Sequence, residues 1–314
     1  MTDIHQLILI HGRDTARQMV DPADRYLVDS AARVMEDEQQ RLNLIYSGFS
    51  QTSLPLRTPK ETVWRREGGA VTLLIESGLE EDGETPVGLP AGPKARIILI
   101  YLQTKAKQTN SRRVELGGSM AQWLGRMGVP TGGAAYNEVR RQARRISACK
   151  LTFFLHGQKD GQKTLHRHNG RFVQDEILMS ATDERQMPLW TEEVFLDEAF
   201  FKSLMEHPVP LQEAAVRELA SKPMALDIYL WLAWRLHVLE KPLDLSWPAL
   251  YGQFGGGTSQ LKHFKPEFAK NLAMALAVYP GAKVELGQEG AKLHPSYSPV
   301  EPRLIRAGSG VRPL

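Results

Sequence analysis

Residues Gly118 to Phe154 read GSMAQWLGRMGVPTGGAAYNEVRRQARRISACKLTFF. Ser119 stands where an N-cap belongs, ahead of a short helix carrying Met120, Trp123, Leu124 and Met127. Gly128-Val129-Pro130-Thr131-Gly132-Gly133 breaks that helix and makes a tight turn. In the helix that follows, Tyr136, Val139, Ala143 and Ile146 recur three or four apart and face a core. That leaves Asn137, Arg140, Arg141 and Arg144 mostly outward. A strand, Leu151 to Leu155, comes next. Helix, turn, helix and then strand is the order of a winged helix-turn-helix.

Charge is concentrated on the same stretch. Between Lys94 and Lys150 there are twelve Lys and Arg against Glu115 and Glu138 alone, while the 314-residue chain carries only +3 overall. The remainder is therefore net acidic. A basic block in an acidic chain fits a surface that meets a polyanionic backbone, because each phosphate neutralised by Lys or Arg releases condensed counterions.

Working upstream, Lys94 to Lys107 places Ile97, Ile98, Tyr101 and Leu102 at helical spacing and ends before Thr109-Asn110-Ser111, which makes it the first helix of the winged unit. Arg113 to Leu116 and Val71 to Glu76 read as short strands, and Gly83 to Pro93 reads as a loop. Leu54-Pro55-Leu56-Arg57-Thr58-Pro59 reads as an extended linker. Ahead of it, Ala23 to Tyr46 carries Leu27, Ala31, Val34, Met35, Leu42 and Ile45 as one helical stripe opposite Glu36, Asp37 and Glu38. This acidic helix could pack on the rest of the chain or make a homodimer. Downstream, Leu151 to Leu155 and Arg171 to Met179 read as two strands around a basic loop holding Lys159, Lys163, His166, Arg167 and His168, the expected wing.

The second half repeats the order without close residue identity. Ala225 to Leu239 answers the first helix and Leu243 to Leu245 the strand. Ser246 to Leu250 answers the capped helix, with Pro248 acceptable in its first turn. Gly255-Gly256-Gly257 replaces the glycine turn. The next helix turns Phe264, Phe268, Leu272, Ala275 and Leu276 inward, and Lys283 to Leu286 with Ala291 to His294 closes a hairpin. The expected fold is therefore α+β, with two tandem winged-helix domains. Residues 1–53 are expected to be an acidic helical extension, 54–190 the first domain, 191–297 the second, and 298–314 a disordered tail.

Composition sets the outer limits. Hydrophobic residues at 42% and charged residues at 24% describe a globular chain long enough for two cores. The single cysteine, Cys149, excludes an intrachain disulfide framework and fits a reducing cytoplasm, where it reads as a small core residue. The N-terminus lacks a secretory pattern. Ile97 to Leu102 is too short to span a bilayer, and Asp227, Arg235 and His237 interrupt Met224 to Leu239. A soluble, cytoplasmic protein is expected.

Enzymatic readings fail on spacing. His166-Arg167-His168 lacks both the hydrophobe of a nickase motif and a third metal ligand. The segment Gly157 to Thr164 has three residues between its glycines, where a phosphate-binding loop needs four, and Gln162 follows instead of Lys. Neither carboxylates for Mg²⁺ nor a placed Tyr and His pair appears at convincing spacing. Tyr229, Trp231 and Trp234 cover several faces of one helix, the pattern of a buried central helix rather than a stacking platform for single-stranded DNA. No catalytic residue, metal or cofactor is expected.

Long runs of the chain resemble the plasmid-encoded RepA replication initiators. They are LPLRTPK from Leu54, AGPKARIILIYLQTKA from Ala91, VELGGSMAQWLGRMGVPTGGAAYNEVRRQARRISACKLTFF from Val114, HPVPLQEAAVREL from His207, MALDIYLWLAWRLHVL from Met224, LSWPALYGQFG from Leu245 and ALAVYPGAKVEL from Ala275. The resemblance covers about residues 54 to 298. It implies a non-enzymatic initiator whose two winged-helix domains bind repeated double-stranded sites at a plasmid origin. It also implies origin opening and recruitment of host replication proteins such as the replicative helicase. A winged-helix transcriptional autoregulator is the alternative from the same class. A third reading makes the basic patch a docking site for an acidic protein.

On the DNA reading, Asn137, Arg141 and Arg144 are the expected base or near-base contacts, since Arg and Asn make paired hydrogen bonds to guanine and adenine edges. Arg140, Arg145, Lys150, Lys159, Lys163 and Arg167 would lie against phosphates. In the second domain Ser259, Gln260, Lys262, His263, Lys265 and Lys270 hold the equivalent turn and helix. A solvated helix whose arginines pair with acids such as Asp24 or Glu36 would show the same basic face.

Overall fold

The computed structural model describes residues 3–159, 162–174, 193–256 and 260–300, with backbone alone for the strand residues between 158 and 169. The chain is mixed helix and sheet, of the α+β class. It divides into two compact units, Leu44–Val209 and Met1–Asn43 with Pro210–Leu314.

In the unit Leu44–Val209, the helix Gly92–Thr109 is the axis of the core. Every residue from Ala95 to Thr104 is buried, so this stretch of the helix has no solvent face. Pro93 starts it at a position where a missing N–H costs nothing. Asn110 ends it in the left-handed region (φ 49°, ψ 41°), returning its N–H to the Ala106 and Lys107 carbonyls.

The polar groups that this helix carries inward are tied to the preceding chain. Gln103 Oε1 accepts the Tyr46 N–H at 2.7 Å, and Thr104 Oγ1 accepts the Leu44 N–H at 2.9 Å. Arg96, 3% exposed, donates from Nη2 to the Leu54 carbonyl at 2.7 Å and from Nη1 to the Pro55 carbonyl at 3.2 Å. The start of the segment expected to be a linker is therefore part of the core, because Leu54 and Pro55 are buried and their carbonyls are held by a guanidinium, while Arg57 and Thr58 are exposed. An unpaired buried carbonyl would be costly, and Arg96 satisfies two.

A four-stranded antiparallel sheet packs beside the helix in the order Val63–Glu67, Val71–Glu76, Lys150–Lys159, Gln162–Arg171. Its buried face alternates Val71, Leu73 and Ile75 on one strand with Leu151 and Phe153 on the next, as a period of two requires. Phe153 meets the rings of Tyr46 at 5.2 Å and Phe49 at 5.3 Å, and Phe172 meets Phe200 at 4.7 Å.

The hairpin differs from its expected form. Its second arm is Gln162–Arg171 rather than 171–179, so the basic stretch read as a loop is itself strand. Apart from Leu165, residues 159 to 171 carry no large apolar side chain on either alternating set, which leaves no period-two signal to read. The span 175–179 lies outside the described residues. Arg113–Glu115 forms as expected and pairs antiparallel with Glu193–Phe195.

The other unit combines both ends of the chain. The acidic helix expected over Ala23 to Tyr46 ends at Met35, and Leu42–Tyr46 is strand. Leu42 and Ile45 extended the helical stripe only by coincidence of spacing. A further helix, Ile4–Met19, is broken at Gly12, whose φ of 74° only glycine adopts freely. The expected separate extension 1–53 is corrected accordingly: Ile4 and Ile8 pack with Leu27, Ala31 and Ala277, so the N-terminal helices share the core of Pro210–Leu314. The expected boundaries near 53 and 190 fall instead after Asn43 and Val209.

Pro223–Arg235 is the axis of this unit, with Met224 to Ala233 all buried. Leu243–Ser246, Trp247–Phe254, Leu261–Ala277 and the hairpin Val284–Leu286 with Gly290–Leu293 follow. The first of these strands pairs with the hairpin in a three-stranded sheet. Phe264, Phe268, Leu272 and Ala275 face inward as the spacing predicts. Phe268 packs its ring 6.0 Å from Trp247 and 5.6 Å from Phe254. The tail beyond residue 300 lies outside the described residues.

Candidate nucleic-acid interface

The helix Gly133–Ala148 is set by its buried stripe, Val139, Gln142, Ala143, Ile146 and Ser147. Ser119 caps the shorter helix Met120–Arg126 before it, accepting the Gln122 N–H at 3.2 Å. Trp123 and Leu124, both fully buried, anchor that helix beneath the turn. The opposite side of Gly133–Ala148 presents Asn137, Arg141 and Arg144 to solvent, three and four residues apart on one row. Arg140 is half-buried, with Nε enclosed and without a hydrogen-bond partner among the described residues.

The cations on this face already have partners. Arg141 is ion-paired with Glu138, and Arg144 with Glu80. Lys150 lies 3.4 Å from Glu76 on the neighbouring strand. The pairing expected of a solvated face thus exists, although through Glu138 and Glu80 rather than Asp24 or Glu36. Exposed pairs of this kind contribute about 0.2–1 kcal/mol each, so a phosphate or a guanine edge can replace them.

Arg145 behaves differently. Its Nε donates to the Val87 carbonyl at 3.3 Å and Nη1 to Thr58 Oγ1 at 3.0 Å. Burial, and after it the neighbouring Arg141, pulls its pKa below the ordinary guanidinium range. This arginine braces the helix against the body.

Sequence reasoning missed a relay behind the row. Gln142, 1% exposed, accepts the Ala91 N–H at 2.9 Å and donates to Glu138 Oε1 at 2.8 Å, and Glu138 in turn holds Arg141. Only its place in the inward stripe could have drawn attention to it. Lys159, Lys163 and Arg167 lie on the arms of the hairpin Lys150–Lys159 and Gln162–Arg171, where the backbone alone is described.

In the second unit, Lys262, His263 and Lys270 are exposed on Leu261–Ala277, joined by Gln260 at the N-cap. Glu267 shares that exposed side. Lys265 instead lies with Nζ 5.3 Å above the ring of Trp247, which covers the aromatic and holds the ammonium near the helix. Ser259 lies outside the described residues. The hairpin beside this helix is fixed by the Trp247 indole N–H, which donates to the Gly287 carbonyl at 3.2 Å.

Cys149 follows the basic helix, 1% exposed, with its thiol donating to the Ile146 carbonyl at 3.4 Å. Among the described residues no three His, Cys, Asp or Glu side chains gather as a metal site, and no helix is long and apolar enough to cross a membrane.

The profile of the family described as plasmid encoded RepA protein matches residues 89–247, half of the chain, and takes in all of Gly133–Ala148. The chain belongs to the plasmid-encoded RepA family. As a RepA-family member it is a DNA-binding replication initiator of the plasmid class. The match ends at Trp247, so Leu261–Ala277 falls outside it.

No curated protein matches this RepA-family chain in sequence. Among solved structures, domains 2 and 3 of RctB, crystallised as a selenomethionine derivative, align with TM-score 0.51 and 11% identity over 81% of this chain and 96% of that one. A second crystal structure, of RctB 155–483, aligns with TM-score 0.46 and 11% identity over 78% and 94%. The first alignment is a likeness of fold.

Proposed function

We propose that this RepA-family initiator binds repeated double-stranded sites at its plasmid origin through two winged helix-turn-helix units. The supporting order is helix, strand, capped helix, glycine turn, helix and hairpin, which occurs once in each unit. Gly133–Ala148 lies in the major groove of one site, and Leu261–Ala277 lies in the groove farther along. The observation that carries this reading is the outward row Asn137, Arg141 and Arg144 on a helix whose opposite stripe is fully buried.

Asn137, Arg141 and Arg144 address base edges, with bidentate pairs contributing about 1–3 kcal/mol of discrimination each. Arg140, Lys150 and the hairpin residues Lys159, Lys163 and Arg167 address phosphates and set orientation. Arg145 acts from behind, holding the helix while adding its charge to the local field. Gln260, Lys262, His263 and Lys270, with Ser259 and the ring-stacked Lys265, form the weaker second contact.

Two linked modules raise affinity because the second contact forms at high effective concentration once the first is made. Tandem contact strains the DNA between and lowers the cost of melting a nearby A·T-rich segment, whose deformability depends on sequence. The opened origin then receives host replication proteins, the replicative helicase among them.

Footprinting on the plasmid's own replicon tests the reading. Protection of repeated sites with two major-groove contacts per bound protein supports it. Protection from one unit only, or none at the origin, overturns it.

A further inference from the structure

The loop between Val71–Glu76 and Gly92–Thr109, counted from its first flanking residue, holds five carboxylates within nine residues: Glu76, Glu80, Glu81, Asp82 and Glu84. It sits against the C-terminal half of the basic helix in a defined shape. Leu79 bridges to Pro86, the Glu80 N–H donates to the Thr85 carbonyl at 2.7 Å, and the Val87 N–H donates to the Gly78 carbonyl at 3.0 Å. Asp82 closes the tip by accepting the Glu84 and Thr85 N–H groups and the Thr85 hydroxyl. Those hydrogen bonds, led by the hydroxyl, hold its carboxyl below the ordinary aspartate range.

The seat is equally specific. A Cβ on Gly78 would stand 2.4 Å from the Ala148 carbonyl oxygen, so only glycine allows the loop to approach the helix end. Gly88, at φ 90°, lies where a Cβ would be 3.2 Å from the Arg145 guanidinium, and Val87 accepts from that same arginine. From this seat the loop delivers Glu80 to Arg144 and, at its start, Glu76 to Lys150.

An acidic loop clamped beside a basic helix competes with DNA for the same cations. Resting on the reading of that helix as the groove-binding element, we infer that Glu80 is a specificity-determining residue. It occupies Arg144 until a base edge displaces it. A bidentate contact to guanine outweighs an exposed ion pair, whereas one more phosphate contact only matches it. At the recognised site Arg144 therefore gives up the Glu80 pair completely, whereas on random duplex the pair and the phosphate share it, so Glu80 lowers affinity for the recognised site more than affinity for duplex of random sequence. The remaining carboxylates add a general repulsion that does not depend on Arg144.

Equilibrium binding of the full chain to an origin duplex and to a random-sequence duplex, at fixed salt, tests this role. Glu80→Gln should raise origin-duplex affinity about two- to fivefold, the range of an exposed ion pair. It should raise random-duplex affinity less, so the specificity ratio rises. Glu81→Gln removes the same charge one residue away and should leave the ratio unchanged. In an Arg144→Ala background, Glu80→Gln should have no effect beyond that of Glu81→Gln, as a double-mutant cycle requires for a pairwise interaction. If Glu80→Gln binds both duplexes like the parent, or matches Glu81→Gln, the inference is overturned while the helix reading stands. If Arg144→Ala also binds like the parent, both fall.

Discussion

Gln142 accepts the backbone N–H of Ala91 at 2.9 Å, joining the inward side of the basic helix to the start of the core helix across 51 residues. The same side chain continues to Glu138 and so to Arg141. A buried amide thus sets the position of an exposed guanidinium, and the angle of the basic helix is tied to the core.

Replacing Gln142 with Leu keeps the volume and removes both hydrogen bonds. The Ala91 N–H is then buried without a partner, at a cost of about 1–3 kcal/mol. Thermal unfolding should show a midpoint lowered by several degrees, since a unit of this size moves about 2–4 °C per kcal/mol. An unchanged midpoint would show that another acceptor reaches Ala91.

Burial pushes the Cys149 thiol up to about 12, with desolvation as the main cause. The folded chain should resist iodoacetamide at pH 8, and labelling should appear only on unfolding. Because the thiol stays neutral in the folded chain, its contribution to stability is complete below the ordinary thiol range. That contribution is lost as pH rises toward 12 and the unfolded thiol ionises. Rapid labelling of the native protein at pH 8 would refute the buried placement.

Phe268 is fully buried between Trp247, Phe254 and Phe264. Phe268→Ala should cost about 3–5 kcal/mol in transfer energy and cavity formation. The urea midpoint of that transition should fall while its slope is kept, since the surface exposed on unfolding hardly changes. A destabilisation below about 1 kcal/mol would mean that the helix Leu261–Ala277 does not rest on this aromatic cluster.

The basic helix and its supports were readable because several signals coincided: Ser119 as a cap, a glycine turn, and the stripe Val139, Ala143, Ile146. The helices Trp247–Phe254 and Leu261–Ala277 were readable for the same reason, through Ser246, Pro248 and the stripe from Phe264. The association of Ile4, Ile8 and Leu27 with Ala277 was not, since contacts between residues so far apart leave no periodicity. The strand Leu42–Tyr46 was read as helix because Leu42 and Ile45 stand three apart, a helical spacing, and the strand's own burial does not alternate. The core position of Leu54 and Pro55 was concealed by two prolines that also suit a linker, and the partners that hold their carbonyls inside, Arg96 and the Gly92 N–H, lie about forty residues away. Within the interface, pattern separated outward arginines from inward apolar residues. It could not assign partners, so the different situations of Arg144 beside Glu80 and Arg145 against Val87 emerge only in three dimensions.

The proposed groove contact rests on engagement of duplex DNA by the exposed cations of Gly133–Ala148. The decisive measurement is the affinity of Arg141→Ala/Arg144→Ala for an origin duplex across a range of salt concentrations. Binding should be weaker, and the slope of log affinity against log salt should shrink by about one unit for each phosphate no longer neutralised. Affinity and slope equal to those of the parent protein would show that this helix does not touch DNA.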